Sequence, residues 1–503
     1  MSVVDLLYVL PVVMLCFAWR LAGLLRSPHR GCDAYYFLLS REALLKRKRL
    51  PIVLPPYFVM ERQEQWYPPG FSLLLAVIPD RILQRYYWCI SPAVDALIGG
   101  AIALAGAAAS GRMQVGLLVG ILYAFSRSAV AETQSLTSRQ LGALLMGIAG
   151  MCGIWSLHDP DPVWLIASVT AGVLLLLTHK FSTQSLFLSF LLLTVWNGDL
   201  RYAEILLFTV IAAVILSGGF YVKVLRSHWD YIRLWTKQRA WLGAHQVQDS
   251  PIYGQPSDRF RVYKSGLRPK AVAVGRYVAG NLFALIPVAV LIATWNGRMI
   301  SPTAVAAAEW SLSILLIGLL SYLIPWLRGI GYMTQYGKLS LPAALICGAM
   351  ALSDSLVGPV VLIVLGWSLL DGLRSLPGML RPSYSEGWDL ASLQPLFAHL
   401  RKLDRPLTMC IPNTYCDLVA YHGRVPVLWG GHGSPTRPLE MILPVLSRPL
   451  EEICEEYPVT HLLLDTNYTQ PQQLGLPDQP AFQHGPLKLF QLQAVETHQE
   501  VAA

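Results

Sequence analysis

Three short stretches of this sequence carry side chains suited to acid–base or anion chemistry. The first is Gly31-Cys32-Asp33-Ala34-Tyr35-Tyr36-Phe37-Leu38, which continues to Trp66-Tyr67-Pro68-Pro69-Gly70. A carboxylate at Asp33 suits general-base work on an acceptor hydroxyl. The same residue also suits the N-terminal cap of a helix beginning at Ala34. The second stretch, Phe125 to Gly142, holds Glu132 and Arg139. A guanidinium there can grip a phosphate through two parallel N–H bonds, with Glu132 pairing with it or holding a metal. The alternative is an interfacial ion pair with arginines snorkelling to the headgroups. The third stretch, Thr178-His179-Lys180-Phe181-Ser182-Thr183-Gln184, is a tight turn with two potentially cationic side chains. It reads either as an anion site or as a solvated turn.

The elements that must position these residues follow from composition. Hydrophobic residues make up 54% of the 503-residue chain and charged residues 14%, well below the quarter or so of a soluble globule. Apolar blocks of bilayer-spanning length recur as far as Asp371 and then stop. A span needs ~20 apolar residues in a helix, and blocks near 4–25, 89–110, 113–131, 138–157, 163–178, 181–196, 202–222, 277–295, 303–325, 339–353 and 356–371 meet that requirement. The expected fold is therefore an α-helical polytopic membrane protein of about 11 spans, residues 1–371, carrying a small soluble α/β domain, residues 372–503. The first block lacks a basic leader and a small-residue cleavage site, so it reads as a retained helix.

Alternating the spans puts the 26–88 loop, the 132–138 turn, the 179–180 turn, the 223–276 and 326–338 loops and the tail on one face. The opposite turns are short: Gly111-Arg112, His158 to Pro162, Asn197 to Arg201, Asn296 to Pro302, and Asp354. Such one-sidedness suits an enzyme whose bundle supports a chemical face, because loops carry chemistry and spans carry scaffold. The 223–276 segment holds eleven Lys or Arg against Asp230, Asp249 and Asp258, which by the positive-inside rule points to the cytoplasm. With Trp229, Tyr231, Trp235 and Trp241 interleaved, it reads as an interfacial amphipathic helix near anionic lipid, or as a passive surface anchor.

The tail alternates short apolar runs with polar turns. Strands are expected at 406–411, 425–429, 461–465 and 487–492, with helices at 415–422 and 438–455. The eight cysteines show no zinc-binding spacing, and a Cys410–Cys416 disulfide is one option in an oxidising compartment. The net charge of +8 is assigned to anionic lipid rather than to nucleic acid.

The loop-one Asp33 followed by Tyr67-Pro68-Pro69-Gly70, the Glu132 to Arg139 turn, the His179-Lys180 turn, and Arg328-Gly329-Ile330-Gly331-Tyr332 before a late span together resemble the GT-C superfamily of polyprenyl-phosphate-sugar-dependent membrane glycosyltransferases. The resemblance covers residues 1–370 or so. It implies Asp33 as catalytic carboxylate and Arg139, His179, Lys180 and Arg328 as the lipid-phosphate site, with Tyr36, Tyr67, Glu132 and Tyr332 as further binding residues. It also implies a lipid, glycan or protein acceptor, and an active face outside the cytoplasm, as in a bacterial plasma membrane, against the charge rule. The sequence departs from the pattern in lacking a second, Asp-x-Asp acidic motif, so no metal ligand is assigned although a divalent ion remains compatible. It departs again at Phe37, where many relatives have histidine. Two other classes compete: a transporter or flippase of lipid-linked saccharides, marked by buried charges and broken helices at mid-membrane, and a non-catalytic assembly subunit that docks through its tail.

Overall fold

The computed structural model describes residues 3–22, 24–25, 33–54, 64–131, 136–238, 266–379, 389–404, 406–430, 446 and 448–492. The chain divides into two compact units. The first comprises Met1–Arg30, Pro68–Leu225 and Gly266–Gly387, and the second Gly31–Tyr67, Arg226–Ser265 and Trp388–Ala503.

The first unit is helical. It contains α1 (Val3–Ala22), α3 (Gly70–Ala76), α4 (Asp80–Ser110), α5 (Met113–Phe125), α6 (Arg127–Ala131), α7 (Arg139–His158), α8 (Pro162–Leu176), α9 (Lys180–Asn197) and α10 (Arg201–Leu216). After α11 (Phe220–Lys237) come α12 (Leu267–Gly280), α13 (Leu285–Trp295), α14 (Pro302–Leu323), α15 (Met333–Met350) and α16 (Val357–Met379). Each of the eleven expected blocks coincides with one or more of these helices. Among the described residues, four helices are long and apolar enough to cross a membrane, or five if the α12–α13 pair, bent by 74° at a break, counts as one. The chain is thus built as an integral membrane protein.

Tryptophan and small residues set the packing. Trp310 of α14 is fully buried, donates from Nε1 to Ser189 Oγ of α9 at 2.9 Å, and stands against Gly150 of α7. Small residues let helices approach closely where lipid supplies no hydrophobic drive for association.

The short turns pair at one end of this bundle, as the alternation of spans requires. Arg201 Nη1 donates to Leu157 O at 3.2 Å, joining the α10 start to the α7 end. Arg298 Nη1, in the turn before α14, reaches Asp354 Oδ1 in the turn after α15 at 3.1 Å.

The interior also holds charges that hydropathy windows average away. Asp95, fully buried in α4, accepts from Arg20 Nε of α1 at 2.7 Å, Lys338 Nζ of α15 at 2.9 Å and Tyr123 O–H of α5 at 2.8 Å. Asp95 sits near the middle of the long helix α4 and not at its end.

Helix α11 begins with Phe220, Tyr221 and Val224 packed on Val173, Leu176 and Ala213. Its exposed residues divide into an apolar edge, Val222, Leu225 and Trp229, and a cationic edge, Lys223, Arg226, Arg233 and Lys237. That division suits a helix lying in a membrane interface; Trp241 lies outside the described residues.

The second unit contains α2 (Asp33–Arg47) and the short antiparallel pair β1 (Ile52–Val53) and β2 (Glu64–Gln65). It also holds α17 (Gln394–Leu400) and a four-stranded sheet of β3 (Thr408–Ile411), β4 (His461–Asp465), β5 (Phe482–His484) and β6 (Leu487–Gln491) in the order β3-β4-β6-β5. Strands β3 and β4 are parallel, with Met409 opposite Leu462, and the other pairs are antiparallel. Met409, Ile411, Trp429, Ile453, Leu462, Leu464 and Phe490 form the core, joined by Leu234 of α11.

Three tail expectations need correction. The 425–429 run makes only an isolated Thr408–Val427 bridge, Pro426 and Leu428 bonding Thr408 without extending a ladder. Within the 438–455 stretch expected to be helical, the helix is Leu450–Glu456 and residues 446, 448 and 449 are not helical; residues 438–445 and 447 lie outside the described residues. Cys410 and Cys416 are free thiols, with Cys416 Sγ donating to Asn413 Oδ1 at 2.8 Å.

Candidate functional site

Asp33 opens α2 and is half-buried. The helix is not amphipathic in the ordinary sense, because Ala34 to Arg41 are buried without a break. Several side chains of the second unit pack on them. Tyr35 lies 5.8 Å from the Tyr421 ring and 5.2 Å from His422, and Glu42 pairs with Arg424 at 2.6 Å. Tyr36 meets Tyr67 edge-on at 5.8 Å. Burial pushes the Tyr36 phenol well above its ordinary range, so at neutral pH it stays a protonated O–H. The tail stretch 413–423 therefore fixes the helix that presents Asp33. Sequence reasoning missed Tyr421, His422 and Arg424 because nothing local to either segment signals the other.

The basic candidates lie in the first unit, and contacts around α9 bring them to one end of it. His179 is the N-cap of α9: its Nδ1 accepts from the Ser182 backbone N–H at 3.2 Å and lies 2.8 Å from Ser182 Oγ. A ring that accepts at Nδ1 carries its proton on Nε2, which makes it a neutral N–H donor. Gly142 of α7 packs directly on this ring; a Cβ there would lie 2.5 Å from His179 Cβ. Arg139, half-buried at the start of α7, is thus about one helical turn from the His179 contact. Lys180 follows as the first residue of α9, also half-buried.

Arg328 belongs to the 3₁₀ turn Pro325–Ile330 between α14 and α15, and Tyr332 is the N-cap position of α15. Phe181 ties that turn to α9, because a Cβ on Gly331 would stand 2.5 Å from the Phe181 ring. The Gly70 N–H, at the end of the Trp66 to Gly70 stretch, donates to Leu177 O at 2.6 Å. Arg139, His179, Lys180, Arg328 and Tyr332 therefore share one end of the first unit, as α7, α9 and α15 all begin there. Aligned helix N-termini add partial positive charge to the same region. Glu132 lies outside the described residues. Among the described residues, no three His, Cys, Asp or Glu side chains group as a metal site.

The capping role gives a stability expectation. His179→Ala should lower stability by about 1 kcal/mol, the usual worth of an N-cap, while His179→Asn, whose side-chain oxygen can accept the same bond, should hold most of it. Thermal unfolding of the two variants checks this, and equal losses would refute the cap.

The architecture, a helical membrane unit with long connections at one end and a second α/β unit, defines a GT-C-like fold. The chain matches the crystal structure of ArnT from Cupriavidus metallidurans bound to undecaprenyl phosphate over 96% of its length and 97% of that chain, with a TM-score of 0.54 at 12% identity. It matches archaeal oligosaccharyltransferase AglB from Archaeoglobus fulgidus, in complex with an inhibitory peptide and a dolichol-phosphate, over 92% of its length and 70% of that chain, with a TM-score of 0.55 at 9% identity. No family model and no curated protein matches the sequence.

Proposed function

We propose that this protein is a membrane glycosyltransferase that moves a sugar from a polyprenyl-phosphate donor to a hydroxyl-bearing lipid, glycan or protein acceptor, at the extracytoplasmic face of a bacterial plasma membrane. The observation that carries this reading is the gathering of Arg139, His179, Lys180 and Arg328 at one end of the membrane unit in a GT-C-like fold. In the step proposed, Asp33 takes the proton of the acceptor hydroxyl as its oxygen attacks the anomeric carbon. The bond from that carbon to the phosphate oxygen breaks, and the departing lipid phosphate keeps the electron pair. Arg139, Lys180 and Arg328 stabilise the charge that develops on it, and His179 adds an N–H donor. Tyr36 and Tyr67 form an aromatic wall beside the base, and Tyr332 does so beside the phosphate. The tail is read as a soluble domain on the same outer face, where bound phosphates offset the basic loops.

Binding of undecaprenyl phosphate to the full chain in nanodiscs tests the phosphate site. Each of Arg139→Gln, Lys180→Gln and Arg328→Gln should weaken it about tenfold, the worth of one charge-assisted hydrogen bond. Equal affinity of the wild type for undecaprenol, which lacks the phosphate, would overturn the reading.

The 74° break between α12 and α13 and the buried Asp95 cluster are features a lipid-linked saccharide transporter would show. Movement of labelled lipid-linked sugar across proteoliposomes without any transfer product would favour that alternative.

A further inference from the structure

Arg328 stands in a six-residue 3₁₀ turn ended by Gly331 at φ +116°. Short 3₁₀ turns have poor internal hydrogen-bond geometry, so the position of this guanidinium depends on what grips the turn from outside. Two side chains do so. The Ile330 carbonyl accepts from Gln184 Nε2 and from the Tyr336 O–H at 2.8 Å, while Gln184 Nε2 also donates to Tyr336 Oη at 3.0 Å. The three groups close a ring in which each donor has an acceptor. Phe181 stacks edge-on against Tyr336 at 4.7 Å and covers Gly331, where any side chain would meet its ring. Gln184 lies one turn beyond Lys180 on α9, and Tyr336 lies in the first turn of α15.

We infer that Gln184 and Tyr336 are positioning residues: they clasp the Ile330 carbonyl so that Arg328 is held at a fixed distance from Lys180 and His179, setting the spacing of the two cations and the neutral N–H donor that read a lipid phosphate. The inference rests on the phosphate-site reading above, but the clasp itself is a mechanical statement with its own readout. Neither side chain is assigned a contact with substrate. Gln184→Leu removes both donors at similar volume, and Tyr336→Phe keeps the ring against Phe181 while removing the hydroxyl.

Hydrogen exchange of the full chain in nanodiscs tests the clasp. Both variants should speed exchange in peptides covering 325–332 by about tenfold, the loss of roughly one hydrogen bond, with peptides from α7 and α14 unchanged. Unchanged exchange at 325–332, or a general rise across all helices, overturns the clasp whatever the ligand. Undecaprenyl phosphate binding then tests the link to the site. Gln184→Leu should weaken it several-fold in the wild type and add almost nothing on an Arg328→Gln background, because the two changes act through one group. Additive losses would overturn the positioning role. Insensitivity to Arg328→Gln alone would instead count against the phosphate-site reading and leave the exchange result to decide the clasp.

Discussion

Asp33→Asn is expected to cut sugar transfer by a factor on the order of 10² to 10⁴, the usual contribution of a general base, with little change in thermal stability. The substitution separates the two roles that the sequence leaves open. Asp33 begins α2 and supplies the acidic charge of its first turn, so a loss of activity on truncation to Ala would be ambiguous. Asn caps helix N-termini about as well as Asp, and neutralising one carboxylate near a helix start costs only about 0.3–1 kcal/mol. The amide, however, has no basic lone pair to take a proton at neutral pH. Asp33→Ser should be as inactive as Asp33→Asn, because serine also caps without acting as a base. Transfer measured with purified variants, beside their melting curves, decides the matter. Full activity in Asp33→Asn would sink the catalytic assignment, and activity that tracks melting temperature across the series would reduce Asp33 to a cap.

The helices of the membrane unit are legible in the sequence because an apolar block of about 20 residues has few other folds open to it. The sharing of one end by Arg139, His179, Lys180 and Arg328 follows from the same alternation: α7, α9 and α15 all run the same way. Other features were hidden because the signal lies between distant segments. Nothing in the sequence near Tyr35 points to Tyr421 and His422, and nothing near Gln184 points to Ile330, 146 positions on. The start of helix α2 is legible in the cap reading of Asp33, but its burial is not. Its run of buried residues, Ala34 to Arg41, has no helical periodicity. The 425–429 run shows the reverse failure: it has strand composition, but only Thr408 offers it a partner, so it makes a bridge and no ladder. Asp95 escaped notice because one carboxylate scarcely lowers the mean of a 31-residue apolar helix.

That carboxylate should dominate the stability of the membrane unit. Asp95 stands between two buried cations, so the cluster of Arg20, Asp95 and Lys338 carries one excess positive charge, and the effect of each substitution depends on what charge remains. Asp95→Asn leaves Arg20 and Lys338 without their common anion in an apolar interior and turns an amide N–H₂ toward one of two donors. Breaking a buried pair from one side costs about 3–5 kcal/mol, and a membrane interior offers no water to soften the loss. Lys338→Met is different. It leaves Arg20 and Asp95 as a balanced pair, keeps the Tyr123 hydroxyl on Asp95, and fills the lysine stem's space with a flexible apolar chain, so it should cost less than about 1.5 kcal/mol. Arg20→Met should fall between them. Its guanidinium also donates to Ala124 O and Tyr123 O, carbonyls in the last turn of α5 where the helical ladder runs out, although Tyr123 O also accepts from the Ser126 N–H at 3.2 Å. Losing Arg20 thus removes a C-terminal cap as well as a charge, although Lys338 still balances Asp95. The expected order of destabilisation is Asp95→Asn, then Arg20→Met, then Lys338→Met, read as apparent melting temperatures of the full chain in one detergent. A Lys338→Met variant as damaged as Asp95→Asn would show that the excess charge is compensated by a group outside this cluster, and the charge-balance account would fail.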